Sequence, residues 1–268
     1  MSGPLAKALR AAPTLAIAVS GGVDSLTLAH AAMRWRRGRA VTLYHAVSPA
    51  VPAAATARVH EHADRLGAPL VLVEAGEFAD PDYLRNPVNR CFFCKSRLYD
   101  GILDRIGAAA GQVIAAGTNL DDLGDFRPGL EAARQRAVRH PLIEAGLDKR
   151  KVRRLARRLG LGEVAELAAA PCLASRVETG LRIDPQMLRV IDAIETQARS
   201  RFGEVALRCR QRAGGLVLEL EADCLAEMDA AARAQMLAAA RSTAHQLGQA
   251  IGPMTLEPYR KGSAFLHG

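Results

Sequence analysis

The sequence predicts an α/β protein: a domain built on a parallel sheet, followed by a smaller α+β domain. Three observations predict it. Short runs rich in β-formers recur at 14–19 (TLAIAV), 41–47 (VTLYHAV), 70–74 (LVLVE) and 112–116 (QVIAA). Helical patterns separate them, and strands alternating with helices at this spacing form βαβ units on a parallel sheet. Past a loop-like stretch at 160–185, carrying Pro171, Gly180 and Pro185, the order changes to helix, strand, strand, helix, strand. The reading places the domains at 1–165 and 166–268.

Each element has a local reason. The run 14–19 ends at Ser20-Gly21-Gly22, and Ser25 to Met33 follows as a helix with Leu26, Leu28 and Ala29 inside. The second strand, 41–47, leads to a helix over 56–66 that Gly67 closes, and then to the third strand. A helix over 96–110 precedes the fourth strand, which runs into Gly117. Residues 148–159 (DKRKVRRLARRL) form a helix that Asp148 caps, with Val152, Leu155, Ala156 and Leu159 on one face. Seven basic residues cover its opposite face, which reads as a solvated face. The second domain reads as helix 185–202, strands 204–210 and 215–221, helix 225–247 and strand 253–257.

The 268 residues are enough to bury a core, and the composition (49% hydrophobic, 24% charged) is that of a globular chain. No apolar run approaches the roughly 20 residues of a membrane helix. The apolar run near the N-terminus is too short and too β-like for a signal peptide, so the expectation is a cytoplasmic protein. Net charge is +8, but 31 of the 36 basic residues are Arg. That bias spreads Arg over the surface and does not by itself call for nucleic acid. Five cysteines, an odd number, point to thiol, metal or cluster chemistry rather than to a disulfide framework.

Three motifs carry chemistry. In Ser20-Gly21-Gly22-Val23-Asp24-Ser25 the glycines let the backbone approach an anion, and the helix N-terminus that follows favours negative charge. The spaced Gly-Lys-Ser/Thr of a Walker A loop is absent. The second motif, Gly117-Thr118-Asn119-Leu120-Asp121-Asp122-Leu123-Gly124-Asp125-Phe126-Arg127-Pro128-Gly129, gathers three acids and an arginine at a strand end. Asp121 and Asp125 are candidate Mg²⁺ ligands, and Arg127 can neutralise phosphate; capping of a helix start is the competing use of these acids. The third motif is Cys91-Phe92-Phe93-Cys94 with Cys172 in Pro171-Cys172-Leu173-Ala174-Ser175-Arg176. A C-x-x-C alone fits zinc, redox or cluster chemistry, and three cysteines leave one coordination position open. Cys209 reads as core and Cys224 as structural.

The first motif resembles the PP-loop of the ATP pyrophosphatase superfamily, with the adenine nucleotide alpha hydrolase-like fold. Taken together, the motifs resemble the LarE family of ATP-dependent sulfur transferases of nickel-pincer cofactor biosynthesis. The resemblance runs in order through 20–25, NPVNRCFFCK (86–95), 117–129, HPLIEAGLDK (140–149), PCLASR (171–176) and PYRKGS (258–263). It implies that ATP adenylylates the carboxylates of a pyridinium-3,5-biscarboxylate mononucleotide and that a sulfur nucleophile then displaces AMP. It implies ATP contacts from Ser20, Gly21, Gly22, Asp24, Ser25, Gly117, Thr118, Asp122, Asp125 and Arg127, with Asp24 also catalytic. Substrate contacts are implied for Ser175, Arg176, Arg208 and Arg210. Cys91, Cys94 and Cys172 would hold a 4Fe–4S cluster that delivers the sulfur; sacrifice of the Cys172 sulfur, or zinc in place of the cluster, are the alternatives. The resemblance also implies a homo-oligomer, a hexamer, with a small-molecule partner and neither membrane nor nucleic acid. A tRNA thiolase of the same superfamily is the alternative function. The family's His-His-Gly after the first strand of the second domain is here Gln211-Arg212-Ala213, which leaves the exact substrate open.

Overall fold

The computed structural model describes residues 3–36, 38–107, 111–124, 127–168, 171–203 and 205–265. In chain order the elements are α1 (Pro4–Arg10), β1 (Thr14–Ala18), α2 (Val23–Trp35), β2 (Val41–Ala46), α3 (Ala53–Leu66), β3 (Leu70–Val73), α4 (Pro81–Leu84), α5 (Arg90–Ile106) and β4 (Gln112–Ala116). There follow α6 (Pro128–Gln135), α7 (Pro141–Glu144), α8 (Lys149–Arg158), α9 (Pro185–Phe202), β5 (Leu207–Arg212), β6 (Gly215–Leu220), α10 (Ala222–Ala226), α11 (Ala230–Gln246) and β7 (Met254–Pro258). They gather into two compact units: Met1–Glu77 with Asn89–Ala170, and Phe78–Val88 with Pro171–Gly268.

The first unit is α/β, with a four-stranded sheet in the order β3-β2-β1-β4 and every pair parallel. Its central strand is buried on both faces, which is why it reads as a continuous apolar run rather than an alternation. Leu15 and Ile17 join Leu28, Leu43 and Val152 on one side. Ala16 joins Tyr44, Leu98, Ile102 and Ile114 on the other. The chain builds outward from β1 to β3, then returns to set β4 on the opposite flank of β1. The order therefore reverses between β1 and β4, and open α/β sheets bind ligands at such a reversal, beyond the carboxyl ends of the strands.

The second unit has a three-stranded mixed sheet, β5 antiparallel to β6 and β6 parallel to β7. Cys209 on β5 is fully buried, and burial pushes its thiol well above the usual range, so it is a core residue and not a nucleophile.

Several elements differ from the sequence reading. The helix expected from residue 96 begins at Arg90, so Cys91 and Cys94 lie in its first turn. Cys and Phe are indifferent helix formers; burial of Arg90, Leu98, Tyr99 and Ile102 carries the helix through them. Residues 108–110 of that expected helix lie outside the described residues. The helix expected over 225–247 is two helices, because Asp229 accepts the N–H of Ala232 at 2.7 Å and starts α11 afresh. The strand expected over 204–210 is shifted to Leu207–Arg212, where the Ala213-Gly214 turn sets its register against β6. The 160–185 stretch contains 3₁₀ turns at Gly162–Glu166 and Leu173–Arg176.

A buried histidine pair joins α2 to α3. His30 Nε2 and His62 Nδ1 are 2.8 Å apart, and neither ring is more than 6% exposed. Burial, with His62 and Arg65 nearby, lowers the His30 pKa from 6.5 to about 4. Burial lowers His62 as well. Above pH 6.5 both rings are neutral whether the chain is folded or unfolded. As pH falls below 6.5 the unfolded chain takes up protons that the folded His30 refuses, so stability is lost until the folded pKa is reached. For His30 alone the loss between pH 7 and pH 5 is expected to be about 2 kcal/mol. Urea unfolding followed by the fluorescence of Trp35, on the same helix, checks this; an unchanged midpoint would refute it.

Candidate active site

The Ser20–Ser25 turn leaves the end of β1 at the reversal point and enters α2. Gly22 occupies the N-cap without a side-chain cap, so it offers the first-turn N–H groups no acceptor of its own. Ser25 Oγ ties the turn to itself: it accepts from the Ser20 N–H at 3.0 Å, lies 3.2 Å from Ser20 Oγ and donates to Gly22 O at 3.1 Å.

Two glycines fix the turn from outside. Gly21 has φ +75°, and a Cβ there would meet Ala55 O of α3 at 2.5 Å. A Cβ on Gly117, just past β4, would meet Ser25 N at 2.7 Å and Ser25 Cα at 2.8 Å. The end of β4 thus touches the first turn of α2 backbone to backbone. Helix α3 adds a further tie, since Arg58 Nε donates to Gly21 O at 3.1 Å. His45, buried on β2, bridges Val19 O and Thr56 Oγ1, each at 2.9 Å, and burial lowers its pKa so that it serves as a neutral strut.

Asp24 lies in the first turn of α2. One of its carboxylate oxygens is bound by the Lys149 ammonium; the other, Oδ1, is buried and has no hydrogen-bond partner. An orphaned carboxylate oxygen beside an anion-binding turn suits a hard divalent cation such as Mg²⁺. The Asp-rich motif is committed differently. Asn119 and Asp122 form a capping box, Asp122 Oδ2 accepting the Asn119 N–H at 3.0 Å and Oδ1 meeting Arg127 at 2.7 Å. Asp121 Oδ2 accepts the Lys149 N–H at 3.2 Å. Thr118 is half-buried between Gly117 and this cap. Asp125 lies outside the described residues.

Lys149 and Arg58 do not stand out in the sequence. Lys149 has a signal, since it is the first helical residue after the Asp148 cap. His45 falls in the segment Tyr44 to Val47, which the superfamily resemblance sets against adenosine, and nothing local marks Arg58.

Cys91 and Cys94 are accessible, one helical turn apart at the start of α5, in the first unit. Cys172, at the N-cap of the Leu173–Arg176 turn, is partly exposed in the second unit. None of the three is in a disulfide. Within either unit, among the described residues, no group of three or more His, Cys, Asp or Glu side chains stands ready to hold a metal ion. Thiol chemistry fits an iron–sulfur cluster, and the donors are divided two and one between the units.

Around Cys172 the second unit concentrates buried charge. Arg176 is 2% exposed; it forms a bidentate pair with Glu195 at 2.9 Å and donates to Pro171 O at 2.7 Å and Cys172 O at 3.3 Å. Arg210 is paired with Glu219 at 3.0 Å and also donates to Ser175 O at 3.2 Å. Arg208 stands over the Tyr259 ring, 6.0 Å from its centroid. Its own burial and the nearby Arg176 lower its pKa, the mark of a crowded cation. Ser175 is buried among these groups. Arg176, Arg208 and Arg210 therefore surround the segment that carries Cys172, with Glu195 and Glu219 offsetting part of their charge.

The parallel sheet with a glycine-rich turn at its reversal point makes the first unit an α/β fold, consistent with a PP-loop domain. No family model matches the chain. It is 37% identical over 204 residues to the uncharacterized protein slr1717 of Synechocystis, covering 76% of this chain and 75% of that one. It is 26% identical over 196 residues to the pyridinium-3,5-bisthiocarboxylic acid mononucleotide synthase of Lactiplantibacillus plantarum, covering 73% and 71%. It is also 26% identical over 140 residues to the uncharacterized protein MJ0830 of Methanocaldococcus jannaschii, covering 52% and 54%. The chain belongs to the family of the Synechocystis protein. Among the described residues no helix is long and apolar enough to cross a membrane.

Proposed function

We propose that the protein is an ATP-dependent sulfur transferase that converts carboxylates of a pyridinium-3,5-biscarboxylate mononucleotide into thiocarboxylates. A substrate carboxylate oxygen attacks the α-phosphorus of ATP, and pyrophosphate leaves. A sulfur nucleophile then attacks the acyl-adenylate carbon, and AMP departs with the electron pair of the broken C–O bond. Activation is required because a carboxylate is a poor electrophile and AMP is a good leaving group.

The Ser20–Ser25 turn receives the departing pyrophosphate, and first-turn N–H groups aimed at developing charge stabilise it without reorganisation. Asp24 Oδ1 would hold Mg²⁺, which would neutralise charge on the pyrophosphate, and Lys149 keeps the other oxygen of Asp24 in place. Arg208 meets the phosphate of the nucleotide, and Arg176 and Arg210, buried against Glu195 and Glu219, hold the Cys172 segment in place. Cys91, Cys94 and Cys172 would hold a 4Fe–4S cluster, whose chemistry would supply the sulfur nucleophile. The observation that carries this reading is the joint presence of the clamped Ser20–Ser25 turn and three accessible thiols outside any disulfide.

The test is anaerobic incubation of the iron- and sulfide-reconstituted protein with ATP, Mg²⁺ and the biscarboxylate nucleotide. Pyrophosphate, AMP and a substrate mass gain of about 16 Da per oxygen exchanged for sulfur are expected. Pyrophosphate release that depends on a tRNA substrate, with none from the nucleotide, would replace this reading with the tRNA thiolase.

A further inference from the structure

Helix α8 carries seven cations in ten residues, and the structure sorts them into two groups. Four are spent locally. Lys149 binds Asp24, and Lys151 donates to Gly146 O at 2.9 Å. Arg153 donates to Ala165 O at 2.6 Å and Leu167 O at 2.7 Å. Arg157 grips Glu166 at 2.6 and 3.0 Å. The other three, Arg150, Arg154 and Arg158, are exposed and make no ion pair among the described residues. The expectation of a uniformly solvated face is corrected to that extent.

The three arginines are spaced four residues apart, so they form one stripe with steps of about 6 Å along the helix. Like charges at this spacing repel by a few tenths of a kcal/mol per pair, so the stripe does not serve the helix's own stability. Beside it lies a groove of about 330 Å³ lined by Leu5, Trp35, Leu147 and Leu155 together with Arg154 and Arg158. None of the residues lining the groove is acidic. Trp35 is the only tryptophan of the chain.

We propose that this groove binds a single-stranded polynucleotide, with consecutive phosphates on Arg150, Arg154 and Arg158 and a base against Trp35. A cationic track beside an aromatic face is how single strands are held without sequence reading. An anionic membrane fits less well. A helix that lies in a membrane interface inserts its apolar face, and α8 keeps Val152 and Ala156 wholly buried in the unit's core. No residue of the Ser20–Ser25 turn lines the groove, and the proposal does not depend on the sulfur-transfer reading.

Because Trp35 is unique, its fluorescence reads the groove directly. A mixed-sequence single-stranded RNA of about 20 nucleotides is expected to quench it saturably. The logarithm of the binding constant should fall with the logarithm of salt concentration with a slope of about −2, the value for three phosphates on a single strand. The triple variant R150Q/R154Q/R158Q, with circular dichroism and melting temperature unchanged, is expected to bind at least tenfold more weakly. Absence of quenching, or an unchanged affinity in the triple variant, overturns the proposal. Inorganic polyphosphate binding as tightly as RNA would overturn the role of Trp35 and with it the polynucleotide. Tighter binding to vesicles of anionic phospholipid, with a blue shift of the emission, would replace the polynucleotide by a membrane.

Discussion

Replacing Gly117 by alanine is expected to lower ATP-dependent pyrophosphate release at least 100-fold, about 2.7 kcal/mol of transition-state stabilisation. The new Cβ would stand 2.7 Å from Ser25 N and 2.8 Å from Ser25 Cα. These are backbone atoms at the start of α2, and they cannot rotate aside as a side chain would. The end of β4 and the first turn of α2 must separate, which carries Ser25 Oγ away from the Ser20 N–H that it accepts at 3.0 Å. Donors aimed at developing charge lose their effect with small displacements. The cost to stability is expected to be that of local overpacking, about 1–3 kcal/mol. Gly124→Ala is the control: its Cβ would find only Asp121 O, at 3.7 Å, and its backbone is already right-handed helical. Equal activity of the two variants would show that the contact between the end of β4 and α2 does not position the turn.

The strands that carry the two sides of that contact into place were legible in the sequence, and the contact itself was not. The runs at 14–19 and 112–116 declared themselves because a parallel strand buried on both faces is apolar throughout. Gly21 could be read as a turn residue, and its φ of +75° agrees. Gly117 could be read only as the end of a strand; its need for no Cβ comes from Ser25, 92 positions earlier, and exists only in three dimensions. The Asp-rich motif shows the converse. Its composition pointed to a metal at Asp121 and Asp125; Asn119 and Asp122 spend their side chains on a capping box and on Arg127, Asp121 accepts the Lys149 N–H, and Asp125 lies outside the described residues. Beside the Ser20–Ser25 turn, a carboxylate oxygen without a partner is on Asp24. Acidic residues near a strand end look alike in sequence whether they cap a helix or wait for a cation, and hydrogen-bond accounting separates them. Lys149 illustrates the same limit. In sequence it is one of seven cations on a basic helix, set apart only by its place after the Asp148 cap, and its ion pair with Asp24 exists only in three dimensions.

Cys172→Ala is expected to abolish thiocarboxylate formation while ATP still yields pyrophosphate, because activation and sulfur delivery use different groups. Activation rests on the Ser20–Ser25 turn and Asp24 in the first unit, whereas Cys172 lies in the second. The alanine is also structurally mild. Cys172 is partly exposed, and Arg176 holds its backbone carbonyl rather than its sulfur, at 3.3 Å. The Arg176–Glu195 pair and the 3₁₀ turn therefore survive the change. Cys91→Ala and Cys94→Ala then separate the two sources of sulfur. If the three thiols ligate a cluster, each single variant loses iron, sulfide and product together, since a cluster with two remaining thiolates is poorly held. If Cys172 gives up its own sulfur, Cys91→Ala and Cys94→Ala each still complete one turnover. The chain then becomes lighter by one sulfur and two hydrogens, about 34 Da, as a thiol side chain becomes dehydroalanine. Cys209→Ala sets the baseline. Its thiol is wholly buried on β5 and held protonated by burial, so it is expected to leave iron content and product unchanged and to cost only stability. Product from Cys172→Ala at the wild-type rate would remove that sulfur from the reaction under either scheme.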